Sequence, residues 1–416
     1  MNSPQTIVLV LSFLVLPLSP SSLSALDLVP EAPSAVLLDQ LTGRVLFQKQ
    51  PDRPVSPASL TKLMTLHLAW KALAEGKIQP SDLVPVTPQT TGRAVPPGSS
   101  LMFLEPGQRV TVKELMLGLA VDSGNDAGMT LAQFLGGSQE GFVALMNAES
   151  RALGLDHTVF FDAYGYDARN LTTAGDFARF SRDYLAAHPQ SVLVLHNVKE
   201  LAFPLAENQA PGDHRRLRTI LQENRNTLIG TYPGADGLKT GFIDESGYNL
   251  AATAMRNGQR LVAVILGVQG RNTAEGGRLR TAAGARLLDF GFATYPLRAL
   301  PLPPMAPVRV WFSQPGSVAP VPAGPTVYPL AFDEEPGVGV RVEAPAEVEG
   351  PVAVGAVLGR LVWSRGGKDF HSVDLKAATP APQAPWWVGL WDRIVLFFRG
   401  FTGTPAPKPV ADHTRS

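Results

Sequence analysis

Apolar positions along the chain fall into several patterns, and each predicts its own kind of element. Two short runs, Ala35-Val36-Leu37-Leu38-Asp39 and Arg44-Val45-Leu46-Phe47, flank Gln40-Leu41-Thr42-Gly43. They read as two strands joined by a tight glycine-containing turn. After Pro57, the residues Leu60, Leu63, Met64, Leu68 and Leu73 recur at helical spacing and predict a helix over 59–74. Thr111-Val112-Lys113-Glu114 has the form of a capping box and starts a helix expected to run through Leu119. Segments 248–254 and 260–266 read as an antiparallel strand pair turning at Asn257-Gly258. Helices interleaved with hairpins imply the α+β class, an antiparallel sheet packed by helices.

The pattern changes at Tyr295, where Pro296, Pro301, Pro303, Pro304 and Pro307 crowd together. Short strand-like pieces follow with little helical periodicity, so 296–376 is expected to be a small all-β domain after a first domain over 26–295. Segment 377–385, AATPAPQAP, reads as a semi-extended linker. Beyond it, 386–402 is expected to be an amphipathic helix. Trp386, Trp387, Leu390, Trp391, Ile394, Phe397, Phe398 and Phe401 share one face, and Asp392 and Arg399 lie opposite. A helix of this length is too short to span a bilayer but fits its surface, and the polar tail 403–416 is expected to be disordered. At the other end, an apolar run over 7–18 and small residues up to Ala25 read as a signal peptide over 1–25. No Lys or Arg precedes Arg44, so either its positive end is the amino terminus alone or the true start codon lies elsewhere.

Composition narrows the chemistry. Lys plus Arg number 36 and Asp plus Glu number 36, which leaves no basic field for a phosphate backbone, so no nucleic-acid partner is expected. The absence of Cys excludes disulfides, thiolate metal sites and a Cys nucleophile. The seven His form no H-E-x-x-H pair, and neither a Walker A nor a G-x-G-x-x-G pattern occurs, so neither a metal nor any other cofactor is expected.

Three short strings remain. Ser59-Leu60-Thr61-Lys62 places a hydroxyl and an amine on one helical face. A serine attacks only when a base takes its proton, and a lysine is such a base only when its pKa is pulled down. By itself S-x-x-K arises about once or twice by chance in a chain of this length. Ser123-Gly124-Asn125 offers a hydroxyl that can relay a proton and an amide that can hold a peptide. Lys239-Thr240-Gly241 offers an ammonium and a hydroxyl for a carboxylate, beside a glycine that lets substrate lie along a strand edge.

In that order, S-x-x-K, S-x-N and K-T-G are the motif set of the penicillin-recognising serine enzymes. With the flanks Pro57-Ala58-Ser59-Leu60-Thr61-Lys62-Leu63-Met64-Thr65, Val121-Asp122-Ser123-Gly124-Asn125-Asp126-Ala127 and Asp236-Gly237-Leu238-Lys239-Thr240-Gly241, the chain resembles the low-molecular-mass penicillin-binding proteins, serine-type D-alanyl-D-alanine carboxypeptidases. The resemblance implies a β-lactamase/transpeptidase-like domain, a β-rich second domain and a membrane-anchoring tail. It implies Ser59 as nucleophile, Lys62 as general base and Ser123 as proton relay to the leaving D-alanine. Asn125 would position the peptide, Lys239 and Thr240 would bind the terminal carboxylate, and the N–H groups of Ser59 and Phe242, beside Gly241, would form the oxyanion hole. An arginine eleven residues before Gly291 falls on Arg280, with Arg278 as the competing position.

The implied reaction removes the terminal D-alanine from peptidoglycan pentapeptide stems, in cell-wall maturation and shape control. Implied partners are those stems, β-lactams and the inner-membrane surface, at its periplasmic face. A D,D-endopeptidase, a β-lactamase and a non-catalytic wall-binding scaffold are the alternatives. Two departures stand out. Phe242-Ile243 follows K-T-G where a hydroxyl residue is common, and Asp122, where an uncharged residue is common, is expected either to repel a substrate carboxylate or to face solvent.

Overall fold

The structure, a computed structural model, describes residues 27–210, 212, 218–400 and 407–409. The leader expected over 1–25 lies outside these residues, as does most of the tail over 403–416. The first part of the chain is built on a five-stranded antiparallel sheet. Its strands are β1 (Ser34–Asp39), β2 (Val45–Lys49), β3 (Ala235–Ile243), β4 (Gly247–Arg256) and β5 (Gln259–Val268), in the order β2-β1-β5-β4-β3. β3, which carries Lys239-Thr240-Gly241, is therefore an edge strand.

Both faces of this sheet are covered, and the period-2 alternation of strand side chains shows it. On β5, Leu261, Ala263 and Ile265 point to one core together with Leu287 and Leu288 of α6 (Thr273–Thr294). Val262, Val264 and Leu266 point to the other, with Leu63 and Met64 of α1 (Lys62–Ala74) and with Phe177 and Tyr184 of α5 (Ala174–Ala187). That second core also takes in α2 (Val112–Leu117), α3 (Asn125–Gly136) and α4 (Gln139–Ala152). Asn257 and Gly258 join β4 to β5 with φ of 49° and 78°, the positive values that a two-residue hairpin turn needs.

Two predicted helices begin or end differently. The segment expected as a helix from 59 starts as a 3-10 turn, Ala58–Thr61, and becomes α-helical only at Lys62. The Thr111 capping box forms as expected, with Thr111 Oγ1 accepting from Glu114 N at 3.2 Å and Glu114 Oε2 accepting from Thr111 N at 2.8 Å. The α-helix nevertheless ends at Leu117 and widens into a π turn over Gly118–Asp122. The turn begins at Gly118, where a Cβ would run into the Met102 side chain, so the backbone here lies directly against a neighbouring loop. The wide turn delivers Ser123 in a left-handed conformation, φ 61°.

From residue 297 onward the chain forms short strands around two small cores, one led by Val308, Val310 and Val348, the other by Leu361, Trp363 and Leu375. One four-stranded sheet joins Pro320–Pro322, Lys368–Ala377, Val357–Arg365 and Val338–Glu343. Arg44 ties this part to the first: it pairs with Glu334 at 2.6 Å and lies 5.0 Å over the Tyr295 ring. Residues 377–385, expected as a linker, are extended but not free. Val352 and Ala381 exchange backbone hydrogen bonds of 2.9 and 2.8 Å, and Ala384 N donates to Phe312 O at 2.9 Å. Leaving those amides unpaired against protein would cost more than docking them.

The last helix, α7 (Trp386–Gly400), docks by its polar face. Asp392 Oδ2 accepts from Phe312 N at 2.7 Å, and Arg399 Nη1 donates to Glu347 Oε2 at 2.8 Å. Its aromatic face points away from the protein: Trp387, Trp391, Phe397 and Phe398 are 58–66% exposed. Phe401 lies outside the described residues. No described helix is long and apolar enough to cross a membrane.

Candidate active site

The 3-10 turn before α1 places Ser59 at the floor of a cleft of about 490 Å³, whose walls include Ser123, Asn125, Thr240, Gly241, Phe242 and Arg280. The three motifs meet here although 180 positions separate the first from the last. Lys62 and Lys239 stand behind the wall, 0% and 2% exposed.

Lys62 is the best-defined group. Its Nζ lies 3.0 Å from Ser59 Oγ, 2.7 Å from Asn125 Oδ1 and 2.5 Å from Tyr164 O. Two of those neighbours are carbonyl oxygens, which only accept. A neutral amine has two N–H donors for the two carbonyls and one lone pair left for the Ser59 hydroxyl proton. Burial brings its pKa down to about 7, and Arg225 acts in the same direction, while Asp162 and Asp126 favour the charged form. Lys62 is thus deprotonated over a range in which an ordinary lysine is not.

The carbonyl of Tyr164 is held by a loop that the sequence did not mark. Asp162 accepts backbone N–H bonds from Tyr164 (2.9 Å), Tyr166 (2.9 Å) and Asp167 (2.6 Å), and also from Gly165. Gly165 has φ +81°, and a Cβ there would lie 1.9 Å from Ala58 O and 2.9 Å from Ser59 N. Only glycine fits a left-handed turn pressed against the nucleophile's backbone. Opposite it, a Cβ at Gly241 would lie 3.1 Å from Ser59 N, so glycine also lets the edge strand run beside Ser59. The backbone of Ser59 and that of Phe242 therefore border the same cleft.

Asn125 is fixed from both ends, since its Nδ2 donates to Ser99 Oγ at 3.0 Å while its Oδ1 accepts from Lys62. Of the two competing arginines, Arg280 lines the cleft, with Nη1 3.3 Å from Gly241 O and its guanidinium 5.8 Å from the Tyr248 ring. Arg278 does not line the cleft; it borders an adjoining groove with Tyr232 and Thr281, on which Arg280 also opens. Burial lowers the Arg280 pKa to about 10, still cationic at neutral pH. Phe242 stacks on Tyr248 with ring centroids 4.3 Å apart and is 42% exposed at the cleft.

Asp122 neither faces solvent nor lines the cleft, because its side chain turns inward and is 1% exposed. Two further residues escaped the sequence reading. Arg225 lines the cleft and donates from Nε to Asp122 O at 3.0 Å. His196 accepts or donates at 2.8 Å to Tyr184 Oη and lies 3.1 Å from Leu238 O, bracing the strand beside Lys239. Neither sits in a recognisable string, so only the fold could reveal them. His67 is buried and bonded to Glu149 (3.0 Å) and His188 (3.0 Å), away from the cleft. Among the described residues no cluster of three or more His, Cys, Asp or Glu is placed to hold a metal.

Comparison with known proteins points to the same family over most of the chain. The family model described as Peptidase S11, D-alanyl-D-alanine carboxypeptidase, matches residues 23–270. D-alanyl-D-alanine carboxypeptidase DacC of Escherichia coli (strain K12) is 32% identical over 388 residues, 90% of this chain and 91% of that protein. The crystal structure of penicillin binding protein 5 from Haemophilus influenzae superposes with a TM-score of 0.71 at 30% identity, over 85% of this chain and 98% of that one. Penicillin-binding protein D2 from Listeria monocytogenes, solved in its ampicillin-bound form, superposes with a TM-score of 0.52 at 26% identity, over 63% of this chain and 98% of that one. With the motifs gathered at one cleft and the match extending over both parts of the molecule, the chain belongs to the D-alanyl-D-alanine carboxypeptidase family of serine peptidases.

Proposed function

We propose that the protein removes the terminal D-alanine of peptidoglycan pentapeptide stems through an acyl-enzyme on Ser59. The observation that carries this is the 3.0 Å approach of Lys62 Nζ to Ser59 Oγ, with two carbonyl oxygens as the other neighbours of that nitrogen. Neutral Lys62 takes the Ser59 proton as Oγ attacks the penultimate carbonyl. The developing oxyanion sits between the N–H groups of Ser59 and Phe242. Ser123 passes a proton to the departing D-alanine, whose carboxylate lies among Lys239, Thr240 and Arg280, and Asn125 orients the peptide. Water then cleaves the ester and restores Ser59. Among the alternatives, the carboxypeptidase reading is the one that the family match supports.

We further infer that the protein acts outside the cytoplasmic membrane with α7 on the periplasmic bilayer surface. The support is an aromatic face turned outward while the polar face is pinned to the protein. The test of the activity is D-alanine release from a pentapeptide stem by the protein and by Ser59→Ala. Release by the first and none by the second is expected; equal release by both would overturn the proposal.

A further inference from the structure

A second cavity, of about 650 Å³, adjoins the catalytic cleft at Tyr166 and Glu245, which line both. Its other walls include Phe161, Tyr164, Glu140 and Asp167, and none of the groups assigned to the reaction lines it. The loop that carries Tyr166 is fixed. Asp162 accepts from the N–H groups of Tyr166 and Asp167 at 2.9 and 2.6 Å, and Gly165 is pressed against the Ala58 carbonyl. The lip between cleft and cavity is therefore a built feature, set beside the nucleophile.

Charged residues around the two spaces are sorted by sign. Where the terminal carboxylate is to lie, Arg225 and Arg280 line the cleft. At the opposite end stand Asp244 and Glu245 of the turn after β3, then Glu140 of α4 and Asp167, and no described residue lining the second cavity is Lys, Arg or His. Asp167 is matched by Arg169 at 2.6 Å, and Arg169 also covers the Phe161 ring at 4.6 Å. Glu140, Asp244 and Glu245 have no ion pair or side-chain hydrogen bond among the described residues. Unmatched carboxylates along a substrate path favour a cation there.

The path itself follows from β3. With the carboxylate at Thr240 and the scissile carbonyl at the N–H of Phe242, the peptide runs from its end towards Ile243. The residue before D-Ala-D-Ala therefore comes to the turn at 244–246, where Tyr166 and Glu245 form the lip. We propose that the second cavity is a subsite for the side chain of that residue, that this side chain is an aliphatic stem ending in a protonated amine, and that Glu245 and Tyr166 determine the preference. The inference rests on the carboxypeptidase reading. Tyr166, 42% exposed, offers its ring to the methylenes, as apolar surface does to a lysine stem. The carboxylates of Glu245 and Glu140 face the ammonium. A neutral side chain of similar length keeps the first contact and loses the second.

The test measures kcat/KM for D-alanine release at about pH 7 from N-acyl-Lys-D-Ala-D-Ala and from the same peptide acetylated at Nε, which removes the charge. A cavity of 650 Å³ has room for the acetyl group. The unaltered protein should prefer the free amine about three- to fivefold at low salt, the size of a partly exposed ion pair. That preference should shrink towards one as salt rises to about 1 M. Glu245→Gln should lower the ratio and Glu245→Lys should bring it below one. Equal kcat/KM for the two peptides in the unaltered protein at low salt overturns the inference, while the release of D-alanine still upholds the proposed activity. A ratio that neither variant changes also overturns it. Release from neither peptide overturns the activity, and the inference with it.

Discussion

Replacing Lys62 by arginine keeps a cation beside Ser59 but removes the base, because a guanidinium does not give up its proton in a protein. Lys62→Arg should therefore slow acylation by a penicillin about 10²- to 10⁴-fold, read as the rate of adduct formation in a mass spectrometer. In the unaltered protein the same rate should fall about tenfold per pH unit below about 7, where Lys62 becomes protonated, and level off above it. A flat profile between pH 5 and 8 would remove Lys62 from the base role. At this scale much of the site was legible: Ser59, Lys62, Ser123, Asn125 and Lys239 sit in strings whose order is distinctive. Asp122 was legible only as a departure. Its inward turn depends on the π geometry of Gly118–Asp122, which no local pattern of apolar residues encodes.

Loop 162–167 does as much for the nucleophile as any helix, yet it has neither periodicity nor a motif. Its Asp162 gathers four backbone N–H groups, its Tyr164 carbonyl holds Lys62, and its Gly165 lies against Ser59. Gly165→Ala puts a Cβ into the Ala58 carbonyl and an L residue into a left-handed turn, which by itself costs about 1–2 kcal/mol. The expected result is acylation slowed at least tenfold, with a modest fall in Tm. Unchanged acylation would show that this contact has no bearing on Ser59. Strands β4 and β5, in contrast, were plain in the sequence, because their alternating faces are both apolar and Asn257-Gly258 marks the turn. The start of α1 was misplaced for a local reason: Pro57 and left-handed Ala58 (φ 49°) set up a tighter turn before the helix. That turn is what aims Ser59 into the cleft.

Across the whole molecule, α7 stands with its polar side held by Asp392 and Arg399 and its aromatic side open. Because Trp387, Trp391 and Phe398 are exposed, changing all three to Ala should leave Tm and penicillin acylation within error of the unaltered protein. Co-sedimentation with anionic lipid vesicles should fall at least tenfold in the same variant. Undiminished vesicle binding would take the membrane role away from this helix. The amphipathic pattern of 386–401 was legible, but its docking was not, because it depends on the Phe312 amide and on Glu347, both far from it in sequence. The same distance effect hid the pairing of 377–385, whose Pro and Ala composition suggests a spacer while its backbone is bonded to Val352, Phe312 and Gln314.

The central claim is that Ser59, activated by Lys62, is the nucleophile of a penicillin-recognising cleft. Incubating the protein with benzylpenicillin and following intact mass, then mapping the adduct by peptide digestion, tests this most directly. The account predicts a covalent adduct of one penicillin on the peptide containing Ser59, and none with Ser59→Ala. No adduct while the drug stays intact, or an adduct that persists in Ser59→Ala, would contradict it.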